Sequence, residues 1–313
     1  MKILVNGSWS EGFHSCVAHC PPHFVITPAT MRGMTVQTIA PTHTPGQLSA
    51  ARIAAFAGHY AEHCLIEVVA ETGSTNADLL ARAVMAPGRG GLQAPTLLAA
   101  ETQTAGRGRA GRVWLTAPSA ALTFSLAWPF AAPLHALVGL PLAVGVTIAE
   151  TLADFGVDVQ LKWPNDVLQS GRKLAGILIE TATAADRQVW AVIGIGINLS
   201  VPEELQQQIG QRAASLPTAA AQDRNLLLAS LLGALAQNMR QFESQGLPVF
   251  VERWNRLHAF AGQQVSILDQ GKVLYEGRAL GIDQIGRLML QADGDANPIA
   301  IMAGDISLRV KEG

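Results

Sequence analysis

Residues 159–182 read VQLKWPNDVLQSGRKLAGILIETA, and the fold turns on how this stretch doubles back on itself. Two extended runs flank the turn-forming triplet Gln169-Ser170-Gly171, so the spacing predicts a β-hairpin. A period of two in the second run sets Lys173, Ala175, Ile177 and Ile179 on one face. Pro164 has no N–H to give to a ladder, so the first run is an edge there or ends. Asn165 and Asp166 then stand at a strand exit, where polar side chains meet ligands or simply make an Asn-Asp turn.

The neighbouring segments extend this pattern. VWAVIGIGINL at 189–199 is almost continuously apolar, as in a strand covered on both faces. Upstream, CLIEVVAETGSTNADLLARAV from 64 reads as strand, turn and helix, with Thr75 and Asp78 resembling a capping box and a helix start near Asn76. TLLAAETQ and ALTFSLAW (121–128) are further apolar strands. The segment 134–155 predicts one long buried helix bent near Pro141. An amphipathic helix runs from an Asp223 cap to a Gly246 stop. Beyond it come short alternating strands separated by Asp/Gln/Gly turns, which read as a small β-barrel of roughly fifty residues. The order of elements is an α+β central domain with a β module behind it.

Composition narrows the class. The chain has 313 residues, 49% hydrophobic and 15% charged, with a formal net charge of −2. That describes a soluble globular protein without the basic footprint of a nucleic-acid binder. The three cysteines, Cys16, Cys20 and Cys64, suit a reducing cytoplasm better than a disulfide framework. The uncharged run at 131–149 has the length of a membrane span, but Pro133 and Pro141 and its polar flanks favour a buried helix. Residues 1–60 show little periodicity. HSCVAHCPPH fits no zinc-finger spacing well, and Met31 or Met34 is a candidate start.

Anion chemistry concentrates in ETQTAGRGRAGRVW, residues 101–114, where Gly106, Gly108 and Gly111 alternate with Arg107, Arg109 and Arg112. Glycines let a backbone approach a ligand, and guanidinium groups present planar donor forks to carboxylate and phosphate. No Walker A pattern occurs. Lys173 in its apolar hairpin either reaches water or serves a site. No cysteine or escorted serine offers a covalent nucleophile near these motifs, so the chemistry rests on positioning and electrostatic stabilisation.

STN at 74–76, QTAGRGRAGRVW at 103–114, KWPNDVL at 162–168, KLAGILIE at 173–180 and GIGINL at 194–199 together resemble the biotin protein ligases. The resemblance covers roughly 64–310. It implies a mixed central β-sheet with packed helices, of the class II aminoacyl-tRNA synthetase/biotin ligase type, followed by an SH3-like barrel. The implied domains are an N-terminal extension over 1–62, a catalytic domain over 63–260 and the barrel over 261–313. The implied reaction makes biotinyl-5′-AMP from biotin and Mg-ATP, then moves biotin to a lysine of the biotin carboxyl carrier domain of acetyl-CoA carboxylase.

By the same resemblance, Ser74, Thr75, Asn76, Gln103, Gly106, Arg107, Gly108, Arg109, Lys173 and Gly176 line the biotin site. Arg109, Arg112, Trp114, Lys162, Asn165, Asp166 and Asn198 are assigned to ATP and its magnesium, with Trp114 stacking on adenine. No metal ligand is named individually. Lys173, Arg109 and Asp166 carry the catalytic roles, with Asp166 orienting the carrier lysine or accepting its proton. The loop at about 201–213 is expected to order around the adenylate.

Ala110 stands where some members carry another basic residue, which bears on retention of the adenylate. Residues 1–60 show no helix–turn–helix, so the expectation is a ligase without a repressor role, cytoplasmic, away from membranes and nucleic acid, with a homodimer open. A lipoate-type ligase and a non-catalytic biotin-binding module are the rival readings.

Overall fold

The structure, a computed structural model, describes residues 46–86, 88–117, 119–209, 213–269, 272–292, 294, 297–303 and 306–310. The candidate start sites, the His/Cys cluster, Cys16, Cys20 and the question of a helix–turn–helix all fall outside them. The first described elements are helix α1 (Ala50–Ala57), strand β1 (Leu65–Thr72), helix α2 (Thr75–Ala83) and strands β2 (Thr96–Gln103) and β3 (Ala121–Phe130). Helix α3 (Leu140–Asp154) leads into strands β4 (Gln160–Lys162), β5 (Asp166–Gln169), β6 (Arg172–Thr183) and β7 (Val189–Asn198). Helices α4 (Glu203–Ile209), α5 (Thr218–Ala221), α6 (Arg224–Gln245) and α7 (Pro248–Arg256) follow. The chain closes with β8 (Gln264–Asp269), β9 (Lys272–Ile282), β10 (Leu288–Gln291), β11 (Ile299–Ile301) and β12 (Ile306–Val310).

Strands β1 to β7 form one mixed sheet in the order β1-β2-β3-β7-β6-β5-β4, with only β1 and β2 parallel. One face carries Leu97, Phe124, Ile177, Ile193 and Ile195 into the main core, where they share burial with Val144 and Ile148 of α3 and Leu228 and Leu232 of α6. The other face is covered at one end by α2, whose Leu79 and Ala83 pack with Leu98, Ala127 and Val192. The last five strands make a separate antiparallel sheet, β11-β10-β9-β8-β12, which matches the expected β module.

Helix α6 begins and ends as its cap residues dictate. The Asp223 carboxylate accepts from the amides of Asn225 and Leu226, and Gly246, at φ 69°, ends it. Three expectations need correction. Helix α2 is capped one residue early, by Ser74 rather than Thr75, and the Asp78 carboxylate accepts a bond from the Thr72 hydroxyl. Pro141 does not bend a long helix. It occupies the first turn of α3, where its missing N–H costs nothing, and 134–137 is a separate 3-10 turn. The run 159–169 is two strands, because Trp163-Pro164-Asn165 turns β4 back onto β5 with Lys162 opposite Asp166. Helix α1, ahead of residue 62, also packs on the core, where its Ile53 is fully buried.

Segment 46–49 is strapped to this core. Glu101 accepts from the Leu48 amide at 2.6 Å and pairs with Arg224 at 2.7 Å, and Asn225 accepts from the Ser49 amide at 2.7 Å. Leu134–Asp154 contains the one stretch, among the described residues, long and apolar enough to cross a membrane, and 67% of its most apolar window is buried inside the protein. That is the buried helix the flanking prolines suggested.

Helix α7 is followed by a polar group in an apolar place. His258 is 4% exposed, stacks at 4.8 Å on Trp254, and neither ring nitrogen has a partner among the described residues. Burial pushes its pKa down to about 4. The unfolded chain therefore takes up this proton first as pH falls, so stability present above about pH 6.5 is lost between there and pH 4, by roughly 3 kcal/mol at most. Replacing His258 with Phe should flatten that part of the pH–stability curve in urea titrations. An unchanged slope between pH 6.5 and 4 would show that His258 is not its source.

Candidate functional site

The half of the sheet that α2 leaves uncovered is paved with small residues. Gly176 of β6 pairs with Gly196 of β7, Leu178 pairs with Gly194, and Gly194 pairs with Ser125 of β3. A methyl group on Gly194 would stand 2.4 Å from Asn76 Oδ1, and one on Gly196 would stand 2.5 Å from the Trp114 indole. No larger residue fits at either place while those side chains stay put. Above this floor lies a cleft of about 410 Å³.

One end of the cleft is uncharged and polar. The N-terminus of α2 supplies Ser74, Thr75 and Asn76, all buried. Gln103, at the end of β2, accepts the Thr75 amide proton through Oε1 at 2.8 Å. Thr75 Oγ1 lies 2.7 Å from Ser125 Oγ, and the Ser125 hydroxyl donates to Asn76 Oδ1 at 2.6 Å.

The other end is cationic. Lys173 Nζ pairs with Asp166 Oδ1 at 2.6 Å and sits 5.6 Å from the centre of a Trp114 ring. Arg109 donates to Asn165 Oδ1 at 3.1 Å, and Asn165 holds the Ile177 carbonyl at 2.8 Å. Lys162 lies in the same wall. Burial pushes its pKa below the usual lysine range, Asp166 opposes that shift, and Lys173, Arg309 and Arg112 add to it. Three other cations thus act on Lys162 from nearby. Among the described residues no group of three His, Cys, Asp or Glu could hold a metal.

The Arg/Gly segment closes the cleft as a small hairpin of its own. The Trp114 amide donates to the Gly106 carbonyl at 2.9 Å, Arg107 bridges Val113, and the Gly108 amide donates to the Arg112 carbonyl at 2.7 Å. Ala110 (φ 53°) and Gly111 (φ 70°) both take left-handed conformations at its tip. Such a conformation costs an alanine roughly 1–2 kcal/mol. Gly106 does not line the cleft. It is glycine because a side chain would meet the Trp114 carbonyl at 2.5 Å.

The structure thus brings together Ser74, Thr75, Asn76, Gln103, Arg107, Gly108, Arg109, Arg112, Trp114, Lys162, Asn165, Asp166, Lys173, Gly176 and Asn198 around one cleft. Four placements differ from expectation. Lys173 does not share a face with Ala175 and Ile177. A bulge pairs Leu168 with Lys173 and Val167 with Ala175, leaving Leu174 as the extra residue. The alternation shifts, so Lys173 turns toward Gly176 and the cleft while Leu174 and Ala175 are buried. Asn198 is a strut rather than a surface donor, for its amide nitrogen holds the Lys173 and Ala214 carbonyls at 3.3 and 3.1 Å. Arg107 pairs with Glu180, at 2.7 Å, instead of joining Arg109 at the cationic end. Part of the expected loop at 201–213 is helix α4, from which Gln208 reaches the cleft.

Sequence reading missed Ser125, Glu180, and Leu308 of β12. The even-numbered alternation of Gly176, Leu178 and Glu180 along β6 held a signal for Glu180. Nothing local marked Ser125 or Leu308, which arrive from distant strands.

Comparison with known proteins supplies the rest. Residues 89–198 match the Biotin/lipoate A/B protein ligase family, and residues 260–309 match the Biotin protein ligase C terminal domain. The Escherichia coli protein named Bifunctional ligase/repressor BirA is 36% identical over 249 residues, covering 79% of this chain and 75% of that one. The Mycobacterium tuberculosis protein named Biotin--[acetyl-CoA-carboxylase] ligase is 36% identical over 249 residues, covering 77% and 88% respectively. A solved structure of biotin protein ligase from Aquifex aeolicus in complex with biotin and ATP superposes with a TM-score of 0.63 at 28% identity. It covers 79% of this chain and 99% of that one.

The close fit of Trp114 on the floor gives a direct test. Gly196→Ala should lift the indole, at a cost of roughly 1–3 kcal/mol of local overpacking. Trp114→Phe in the Gly196→Ala background isolates that tryptophan by difference. The Trp114 emission so obtained should shift red relative to its value with Gly196 present. An unshifted spectrum would mean that the loop does not seat there.

Proposed function

The chain belongs to the biotin protein ligase family, and from that premise we propose that it activates biotin with ATP and passes the biotinyl group to a lysine of a carboxylase's carrier domain. In the first step a carboxylate oxygen of biotin bonds to the α-phosphorus, and pyrophosphate leaves with the electrons of the broken P–O bond. In the second the neutral amine of the carrier lysine bonds to the acyl carbon, the bond from that carbon to the phosphate oxygen breaks, AMP leaves with its electrons, and the amine's surplus proton passes to solvent. The names of relatives from Mycobacterium tuberculosis and Paracoccus denitrificans support acetyl-CoA carboxylase as the source of the carrier.

The observation that carries this reading is the polarity of the cleft over the glycine floor. Its uncharged end offers Ser74, Thr75, Asn76 and Gln103 over a glycine floor, while Lys173, Lys162, Arg109 and Arg112 gather at the other. A ligand with a flat, neutral, hydrogen-bonding head and an anionic tail fits that division, with a second anion beside the tail. Biotin and the phosphates of ATP are such a pair. Gly106 serves through the fold of the loop. Trp114, packed over Gly176 and Gly196 beside Lys173, is assigned to the wall between the two ends rather than to an adenine stack.

Lys173 stands at the seam and is assigned the central role, stabilising charge on the carboxyl and α-phosphate oxygens. Arg109, braced by Asn165, assists. Asp166 is held against Lys173, so its role is to aim that ammonium group, and proton acceptance from the carrier lysine is secondary. Asp166 and Asn165 are the oxygen donors nearest this end. With no protein cage among the described residues, magnesium fits here as an ion carried in on the triphosphate, with most of its shell from phosphate and water. When bound, it spreads charge on the phosphate oxygens. The cytoplasm, where carrier and ATP meet, is the proposed compartment.

The test is incubation with biotin, Mg-ATP and a carrier domain. Lys173→Ala should slow biotinylation on the order of a hundredfold, with the fold intact by circular dichroism. Equal rates would remove Lys173 from its role. Pyrophosphate exchange driven by lipoate and not by biotin would replace the substrate.

A further inference from the structure

We propose that Glu180 is a positioning residue that latches the Arg/Gly loop over the neutral end of the cleft, and that Arg107 is spent on this latch instead of on the reacting anions. The inference rests on the ligase reading for what the latch encloses, but not for the latch itself.

Its basis is a chain of contacts that begins and ends on the same segment. Gln103, at the base of the loop, takes the Thr75 amide at 2.8 Å and lies 3.1 Å from its hydroxyl. Thr75 and Ser125 hydroxyls are 2.7 Å apart, and Ser125 donates to Asn76 Oδ1 at 2.6 Å. Each hydroxyl has one proton. Ser125 spends its own on Asn76, so Thr75 donates to Ser125, and the Thr75 amide is what holds Gln103. Asn76 Nδ2 then donates to Glu180 Oε2 at 3.0 Å and to the Leu178 carbonyl at 3.2 Å. Glu180 Oε1 accepts from Arg107 Nη2 at 2.7 Å, which returns the path to the loop four residues beyond Gln103.

The links of this hoop differ in kind. Thr75, Asn76 and Ser125 are buried, and their contacts are fixed by α2 and β3. The Arg107–Glu180 link is the outermost, with the arginine side chain 49% exposed and the glutamate 23% exposed. A pair that wet is weak, so it opens and closes readily. Its carboxylate joins Arg107 of the loop to Asn76 of the α2 N-terminus. Glu180 thereby sets how often the loop lies shut and how Asn76 is aimed when it does. Arg109 and Arg112 are left to face the anions from the same loop.

Hydrogen exchange of the loop amides 105–113 in the ligand-free protein tests the latch without reference to activity. Glu180→Ala and Arg107→Ala should each lose about three- to fivefold of protection there, the weight of a half-exposed ion pair. The exchanged pair, Arg107→Glu with Glu180→Arg, should recover part of it. Wild-type protection should fall as salt rises from low ionic strength to about 1 M, where the Debye length shrinks to about 3 Å, and that of Glu180→Ala should not. In turnover, Glu180→Ala should raise KM for biotin by a similar factor while kcat stays within about twofold. Unchanged loop exchange in both single variants, or an exchanged pair no better than Glu180→Ala, overturns the latch. A normal exchange result in a wild-type protein that does not turn over biotin overturns the ligase reading and leaves the latch standing.

Discussion

The structure depends on a sheet that is covered on one face and deliberately bare on part of the other. Strands β3, β6 and β7 put bulky aliphatic residues into the core below, while Gly176, Gly194, Gly196 and Ser125 look upward. That asymmetry makes a cleft without opening the core, because the apolar burial that stabilises the sheet lies on the other side. Helix α2 stops where the small residues begin, so its N-terminal side chains become one wall, and the Arg/Gly hairpin becomes the other. Removal of the floor's smallness would displace the indole and the asparagine together.

On that floor the protein manages like charge. Cationic side chains near one another repel, and a buried lysine among them holds its proton less firmly. Lys162 shows the effect directly, with its pKa lowered by burial and then by Lys173, Arg309 and Arg112. Asp166 offsets part of that repulsion and Asn165 braces Arg109 through a neutral oxygen. Anions entering this end of the cleft would offset the repulsion that Lys173, Arg309 and Arg112 exert on Lys162.

Much of this was readable in the chain alone, and the exceptions share a cause. Helix α6 was legible because both of its caps are local: Asp223 and Gly246 act within a turn of the helix they bound. The Arg/Gly segment was legible because its residue types are odd in a sparingly charged protein. Lys173 was assigned to the wrong face because strict alternation assumes one residue opposite one residue, and the bulge at Leu174 breaks that rule without any glycine or proline to announce it. Glu180 went unread because its meaning comes from partners 73 and 104 positions away. Local signals report on turns and caps; register shifts and cross-strand pairs are settled by the assembled sheet.

The C-terminal sheet is more than an appendage. Leu308 of β12 lines the cleft, and Arg309 beside it reaches the field of Lys162. The indole nitrogen of Trp163, in the turn between β4 and β5, donates to the Gly286 carbonyl at 3.1 Å, beside the floor strands. Neither matched segment therefore holds a finished pocket. Chimaeras that trade this module between relatives would trade part of the cationic wall with it, so a workable seam keeps Trp163, Gly286 and the 308–309 pair from one parent.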